Sequence, residues 1–278
     1  MATLVSFHAH PDDETTSTGG TLARAAADGH RVVLVFGTHG EEGEPVEGVL
    51  AEGEELWERR IVEAQHSADV LGAARVEFLG YRDSGMMGEP ANDHPDAFWQ
   101  ADVDEAAERL AAILRDEGAD VLTVYDDHGN YGHPDHIQVH RVGVRAADLA
   151  GIERVFAATM NRDRFREMRN AMTEEQIAEA GLTEELADVD EDGTPDIDEN
   201  TFGEPEANIT HAVDVAEYVA KKRAAMQAHA SQISPDSFFM KMPAEIFAMA
   251  FGTEWYIDLA NPRPEGEPFA TDLFAEPA

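Results

Sequence analysis

The chain has 278 residues, of which 57 are acidic and 20 basic, giving a formal net charge of −37. A surface this negative repels phosphate backbones and anionic headgroups, and no apolar run reaches the about 18 residues of a membrane span, so nucleic acid and membrane partners are excluded. There is no cysteine, which excludes disulfides and thiolate metal ligands and leaves any metal to His, Asp or Glu.

In chain order, residues 3–7 read as a buried strand, followed at once by the stretch "HAHPDDE" at 8–14. Residues 20–28 have the spacing of a short helix, 31–36 of a strand, and 54–71 of a helix whose apolar positions are Leu56, Ile61, Ala64, Ala68 and Leu71. A strand at 76–79, a helix at 103–117, a strand at 120–125, a helix at 134–150 and a strand at 154–158 follow. Gly29, Gly72, Gly118 and Gly151 sit just past the helix ends. Strands separated by helices predict an α/β fold: a Rossmann-like, mostly parallel sheet with helices on both faces. After Met160 the pattern weakens. Short helices are expected at 162–171 and 174–180, an acidic loop or lid at 186–205, a helix at 212–230 and an irregular tail beyond Pro262. The expected organisation is a catalytic core over 1–160, with 161–278 as a smaller C-terminal part of the same domain.

Two stretches concentrate ionisable chemistry. The first is His10-Pro-Asp-Asp-Glu14. The second is Tyr125-Asp-Asp-His-Gly-Asn-Tyr-Gly-His-Pro-Asp-His136. Both follow predicted strands, and a parallel sheet brings its strand carboxyl ends to one side, so the two would converge. Imidazole and carboxylate ligands suit Zn²⁺, although Fe²⁺ accepts the same set, and catalytic zinc sites use three protein ligands with a position left for water. Asp12 and Asp13 are adjacent in a turn and point apart. One can bind metal while the other faces water as a general base.

"HAHPDDE" near the N-terminus together with "YGHPDH" after a later strand resembles the PIG-L/LmbE-like family of zinc-dependent deacetylases, over roughly the first 150 residues and more loosely near 222–231. "GEEGE" at 40–44, "ERRIVEAQHSADVLG" at 58–72 and "YRDSGM" at 81–86 resemble its actinobacterial branch, which includes the mycothiol-pathway deacetylase and the amidase of mycothiol S-conjugates. The resemblance implies that His10, Asp13 and His136 bind the metal and that Asp12 is the base. His133 would stabilise the oxyanion or donate a proton, with Asp135 holding its ring. Tyr131 would assist at the carbonyl, Arg60 and Asp83 would hold sugar hydroxyls, and Met86 would line the pocket. Gly132 before "HPDH" favours the biosynthetic deacetylase over the amidase.

Each residue has a plainer reading. Asp12 and Asp13 could cap a helix, as could His133 and His136, but two clusters in this order outweigh capping. His140, four residues after His136, is a rival ligand. His8 and His39 are expected to be structural or to flank the pocket, and His229 to be a packed helix residue. "DVDEDGTPDIDE" at 188–199 matches a calcium-loop pattern through Asp188, Asp190, Asp192, Asp196 and Glu199. Pro195 and the turn-like residues after it favour a solvated acidic lid over bound Ca²⁺. Gly19-Gly20 lacks the rest of any phosphate-binding pattern. The expectation is a cytoplasmic hydrolase without a signal peptide. It would remove the N-acetyl group from a small N-acetylglucosamine-containing molecule such as N-acetylglucosaminyl-inositol. A homo-oligomer is left open. The rivals are the S-conjugate amidase, a natural-product glycoside deacetylase and a non-catalytic metal- and sugar-binding protein.

Overall fold

A computed structural model describes residues 1–171 and 202–275. In β1 (Thr3–His8) every residue from Leu4 onward is buried, the continuous burial that a central parallel strand requires. β1 pairs in parallel with β2 (Arg31–Thr38) on one side and β4 (Val121–Tyr125) on the other. β3 (Arg75–Tyr81) lies outside β2 and β5 (Arg154–Thr159) outside β4, both parallel. The chain thus moves outward from β1 in one direction and then in the other. The crevice beyond the carboxyl ends of β1 and β4 is the topological switch point, where open α/β sheets hold their ligands.

Helices cover both faces. α2 (Gly19–Ala27) and α3 (Leu56–Leu71) pack Leu22, Ala64 and Leu71 against Leu4, Leu34 and Phe36. On the other face α4 (Val103–Glu117) and α6 (Pro134–Ala150) pack Leu110, Leu114 and Val139 against Val5, Phe7 and Val35. The strand residues split between the faces with period two, as a pleated sheet requires. α3 is started by a capping box between Glu55 and Glu58 and stopped by Gly72 at φ 87°, a conformation that side chains with a Cβ rarely adopt.

The C-terminal part differs from expectation at one element and adds three others. Residues His211–Asp214, which overlap the start of the helix expected at 212–230, form β6, and Thr253–Asp258 form β7. β7 runs antiparallel to β5 and β6 antiparallel to β7, giving one sheet in the order β3-β2-β1-β4-β5-β7-β6. The reason lies in Val213 and Val215. Both are buried, and their spacing of two fits a pleat rather than a helix. The helix itself spans only Val219–Ala228. Further helices at Phe238–Lys241 and Ala244–Phe251 carry no strong sequence signal.

A buried ion pair ties this region to the N-terminal half. Lys222 Nζ lies 2.7 Å from Glu254 Oε1, both about fully buried at 1% and 2% side-chain exposure. The same carboxylate accepts the Gly20 and Thr21 N–H groups at 2.8 and 2.7 Å, satisfying the N-terminus of α2 with a negative charge. Removing one member of such a buried pair typically costs about 3–5 kcal/mol.

The expected helix at 174–180, residues 186–201 of the acidic lid and the calcium-type loop with Asp188, Asp190, Asp192, Asp196 and Glu199 lie outside the described residues. Where the description resumes, Gly203 N–H donates to the Asn130 carbonyl and Glu204 N–H to the Met160 carbonyl, each at 2.9 Å. Among the described residues no helix is long and apolar enough to cross a membrane.

Candidate active site

The carboxyl end of β1 runs directly into the first chemical stretch. His10 and Pro11 are buried, and Asp12 turns the chain at φ 118° before α1 (Asp13–Ser17) begins. The end of β4 leads through a one-turn helix, α5 (Gly129–Gly132), to His133. His133 is the N-cap of α6, its Nδ1 accepting the Asp135 N–H at 3.1 Å, and Pro134 opens the helix. Pro at the first helical position and a side-chain acceptor before it are what a helix start favours.

These two turns bring His10, Asp13 and His136 together. Asp13 Oδ2 lies 3.4 Å from His10 Nδ1, and Asp13 Oδ1 lies 3.4 Å from His136 Nε2. Two atoms bound at about 2.0–2.1 Å to one tetrahedral ion sit roughly 3.3–3.4 Å apart, so each separation, made by a different Asp13 oxygen, has the size of a ligand pair on a divalent cation. His10, His133 and His136 also offer nitrogens within 4.8 Å of one another. His10, Asp83 and Asp135 form a second such group, but its carboxylates are already engaged. Asp135 accepts the Ser84 N–H at 2.9 Å and the Ser84 hydroxyl, and Asp83 accepts the Gly85 N–H at 2.9 Å. That group orients the back of the His10 ring.

The Asp135 side chain therefore differs from its expected role. Its carboxylate lies 3.2 Å from His10 Nε2, and only its backbone N–H meets His133. The cause is helical geometry: His133 and Asp135 are two positions apart at the start of α6, and side chains at that spacing do not face each other. Carboxylates behind metal-binding imidazoles fix the ring and raise its basicity. Asp135→Asn is expected to weaken zinc binding about 10–100-fold, read by competition with a chromophoric chelator. An unchanged affinity would remove Asp135 from this role.

Arg60 and Asp83, expected to hold sugar hydroxyls, are both buried. Arg60 is 3% exposed and donates to the Gly40 carbonyl at 2.9 Å and the Pro11 carbonyl at 2.5 Å, with Nη2 3.3 Å from Asp12 Oδ1. It stands behind Asp12. Asp83 stands 3.4 Å from His10 Nε2. Met86 and Tyr131 are open to solvent, at 47% and 46% exposure, and the Tyr131 hydroxyl lies 3.5 Å from His136 Nε2. His140 turns away and donates from Nδ1 to the Tyr125 carbonyl at 2.8 Å. His8 is fixed between the Ser6 and Tyr125 hydroxyls, and burial lowers it to about 4.

Burial pushes Asp12 up to about 6, against the pull of the Arg60 guanidinium. Burial, reinforced by His10 and His136, lowers His133 to about 3. With Nδ1 accepting from the backbone, neutral His133 carries its proton on Nε2, which makes that atom a donor. Ser84, Glu14 and Ser67 were not assigned by sequence reasoning. Ser84 and Glu14 lie inside the quoted stretches, and their closeness to Asp83 and Asp13 was the available signal. Ser67 had none.

The sequence profile of the PIG-L family, described as GlcNAc-PI de-N-acetylase, matches residues 5–147. A protein of Acidothermus cellulolyticus named 1D-myo-inositol 2-acetamido-2-deoxy-alpha-D-glucopyranoside deacetylase is 45% identical over 99% of this chain and 95% of its own length. The protein of that name in Thermobifida fusca is 40% identical over 98% of each chain. Among solved structures, the N,N'-diacetylchitobiose deacetylase of Pyrococcus horikoshii superposes with a TM-score of 0.58 at 19% identity, over 92% of this chain and 82% of its own. The conserved protein TT1542 of Thermus thermophilus gives 0.57 at 22% identity, over 96% and 100%. At these identities the likeness is one of fold.

Proposed function

The chain belongs to the PIG-L family, and from that premise we propose that it is a zinc-dependent deacetylase acting on N-acetylglucosaminyl-inositol, the substrate its relatives are named for. The observation that carries the chemistry is Asp13 set between His10 and His136 at 3.4 Å from each, with Asp12 preceding it in the turn. The substrate rests on relatives up to 45% identical that align over nearly the whole chain.

An acetamide is a poor electrophile. His10, Asp13 and His136 would hold a divalent cation, which when bound would supply carbonyl polarisation and acidify water toward a pKa of about 7. Asp12 accepts the proton of the attacking water. His133 Nε2–H donates to the oxygen on which negative charge develops, and a donor so placed is commonly worth about 3 kcal/mol. The Tyr131 hydroxyl covers the same side. The nitrogen leaves only as a protonated amine. Asp12, carrying the water's proton, and His133 are the two donors the site offers. Asp135 and Asp83 act through the His10 ring, and Arg60 through the Asp12 turn.

The test is release of free amine from N-acetylglucosaminyl-inositol by the purified protein, beside a mycothiol S-conjugate and an N-acetylglucosaminyl glycoside without inositol. The expected result is preferred turnover of the inositol compound with stoichiometric acetate. Turnover of the S-conjugate alone would transfer the reading to an amidase.

A further inference from the structure

Asp12 must present its carboxylate from a backbone conformation that a residue with a Cβ rarely adopts, at φ 118°. A turn of that kind persists only where its surroundings hold it. On one side Arg60 grips the Pro11 carbonyl and the Asp12 carboxylate. On the other side the Asp12 N–H donates to Glu14 Oε2 at 2.9 Å. Glu14 and His229 are both fully buried, at 0% exposure. Glu14 Oε1 takes two further bonds, from the Ser67 hydroxyl of α3 at 2.5 Å and from His229 Nε2 at 2.7 Å. His229 stands at the end of the Val219–Ala228 helix, and among the described residues its ring hydrogen-bonds only to Glu14.

We propose that His229 is a positioning residue for the reaction, holding Asp12 in its turn through the Glu14 carboxylate. The inference rests on the deacetylase reading above. Without its imidazole partner, buried Glu14 keeps one hydroxyl and one N–H for two oxygens, and the carboxylate loses the group that fixes Oε1. The Asp12 N–H then loses a fixed acceptor and the turn relaxes. The role needs a donor at Nε2 and nothing more of the ring, since Nδ1 has no hydrogen-bond partner among the described residues. A glutamine amide can supply that donor. The surrounding chain is anchored independently: Ser231 donates its N–H and hydroxyl to the Glu63 carboxylate at 2.9 and 2.6 Å. Replacing the His229 side chain therefore leaves its backbone seated on α3.

The experiment compares His229→Gln and His229→Phe in the full chain loaded with zinc. Phe is expected to lower kcat about 10–100-fold, the cost of misplacing a reacting group by about an ångström. KM and zinc content stay at wild-type values, and Gln recovers most of the loss. Crystal structures of both variants give a readout independent of substrate. The Asp12–Glu14 bond and the positive φ persist in the Gln variant and are lost in the Phe variant. An intact Asp12 turn in His229→Phe overturns the proposal. So does a loss that Gln does not rescue, or one explained by zinc content or melting temperature alone. An inactive wild-type protein would instead overturn the deacetylase reading, and the two crystal structures would still decide the positioning role.

Discussion

Replacing Asp12 by Asn is expected to lower kcat by about 10²–10⁴-fold, the usual contribution of a positioned general base, while KM and zinc content stay close to wild type. Asn keeps the volume of the side chain and the backbone N–H bond to Glu14. It removes the one function assigned to the carboxylate, which is to accept a proton from water. Zinc stays because the assigned ligands are His10, Asp13 and His136, and Asp12 is not among them. Arg60 loses a carboxylate neighbour but still donates to the Gly40 and Pro11 carbonyls, so its charge is not stranded. Steady-state kinetics with metal analysis of the same preparation check the result. A kcat within about threefold of wild type would move the base elsewhere, because no proton-transfer role is that small.

Stripping the protein with a chelator is expected to abolish amine release, and adding back zinc to restore it. The chemistry requires a polarised carbonyl and a nucleophile at neutral pH, and no side chain in the site supplies either alone. Zinc is also expected to raise the melting temperature, because a ligand that binds only the folded state at 100 times its Kd adds about 2.7 kcal/mol. His136→Ala removes one of the two imidazoles facing Asp13 and should abolish both the recovery of activity and the zinc-dependent thermal shift. Full activity in the stripped protein would sink the metal-dependent mechanism. A thermal shift that survives His136→Ala would place the cation elsewhere.

The parallel half of the sheet is legible in sequence because its signals are local. Runs such as Val32–Phe36 are continuously apolar and buried, and a glycine follows the end of α2, α3, α4 and α6. β6 and β7 are not legible for the opposite reason. Val213 and Val215 alternate for too few residues to stand out before an alanine-rich helix, and β7 is specified by pairing with β5, about a hundred residues away in sequence. The metal and base candidates are legible because they crowd two short stretches. Their orientations are not. Which carboxylate meets which ring depends on how α6 is rotated against β1, and this separates Asp135 from its expected partner His133. Arg60 illustrates the same limit, since its place behind Asp12 depends on the packing of α3. Glu14 and His229 are 215 residues apart, beyond the reach of any spacing argument.

The Glu254 carboxylate that caps α2 also sets an order of events during synthesis. All three assigned metal ligands and β5 have emerged from the ribosome before residues 253–258 are made. At that stage β5 has no neighbour on its outer side, and Gly20 and Thr21 have no acceptor for their N–H groups. Unpaired strand edges recruit other chains, and pairings between distant segments form late. The nascent protein can therefore gather the side chains assigned to the cation before its final strand joins the sheet. The docking of residues 253–258, which the order of synthesis places late, covers the outer edge of β5 and caps α2.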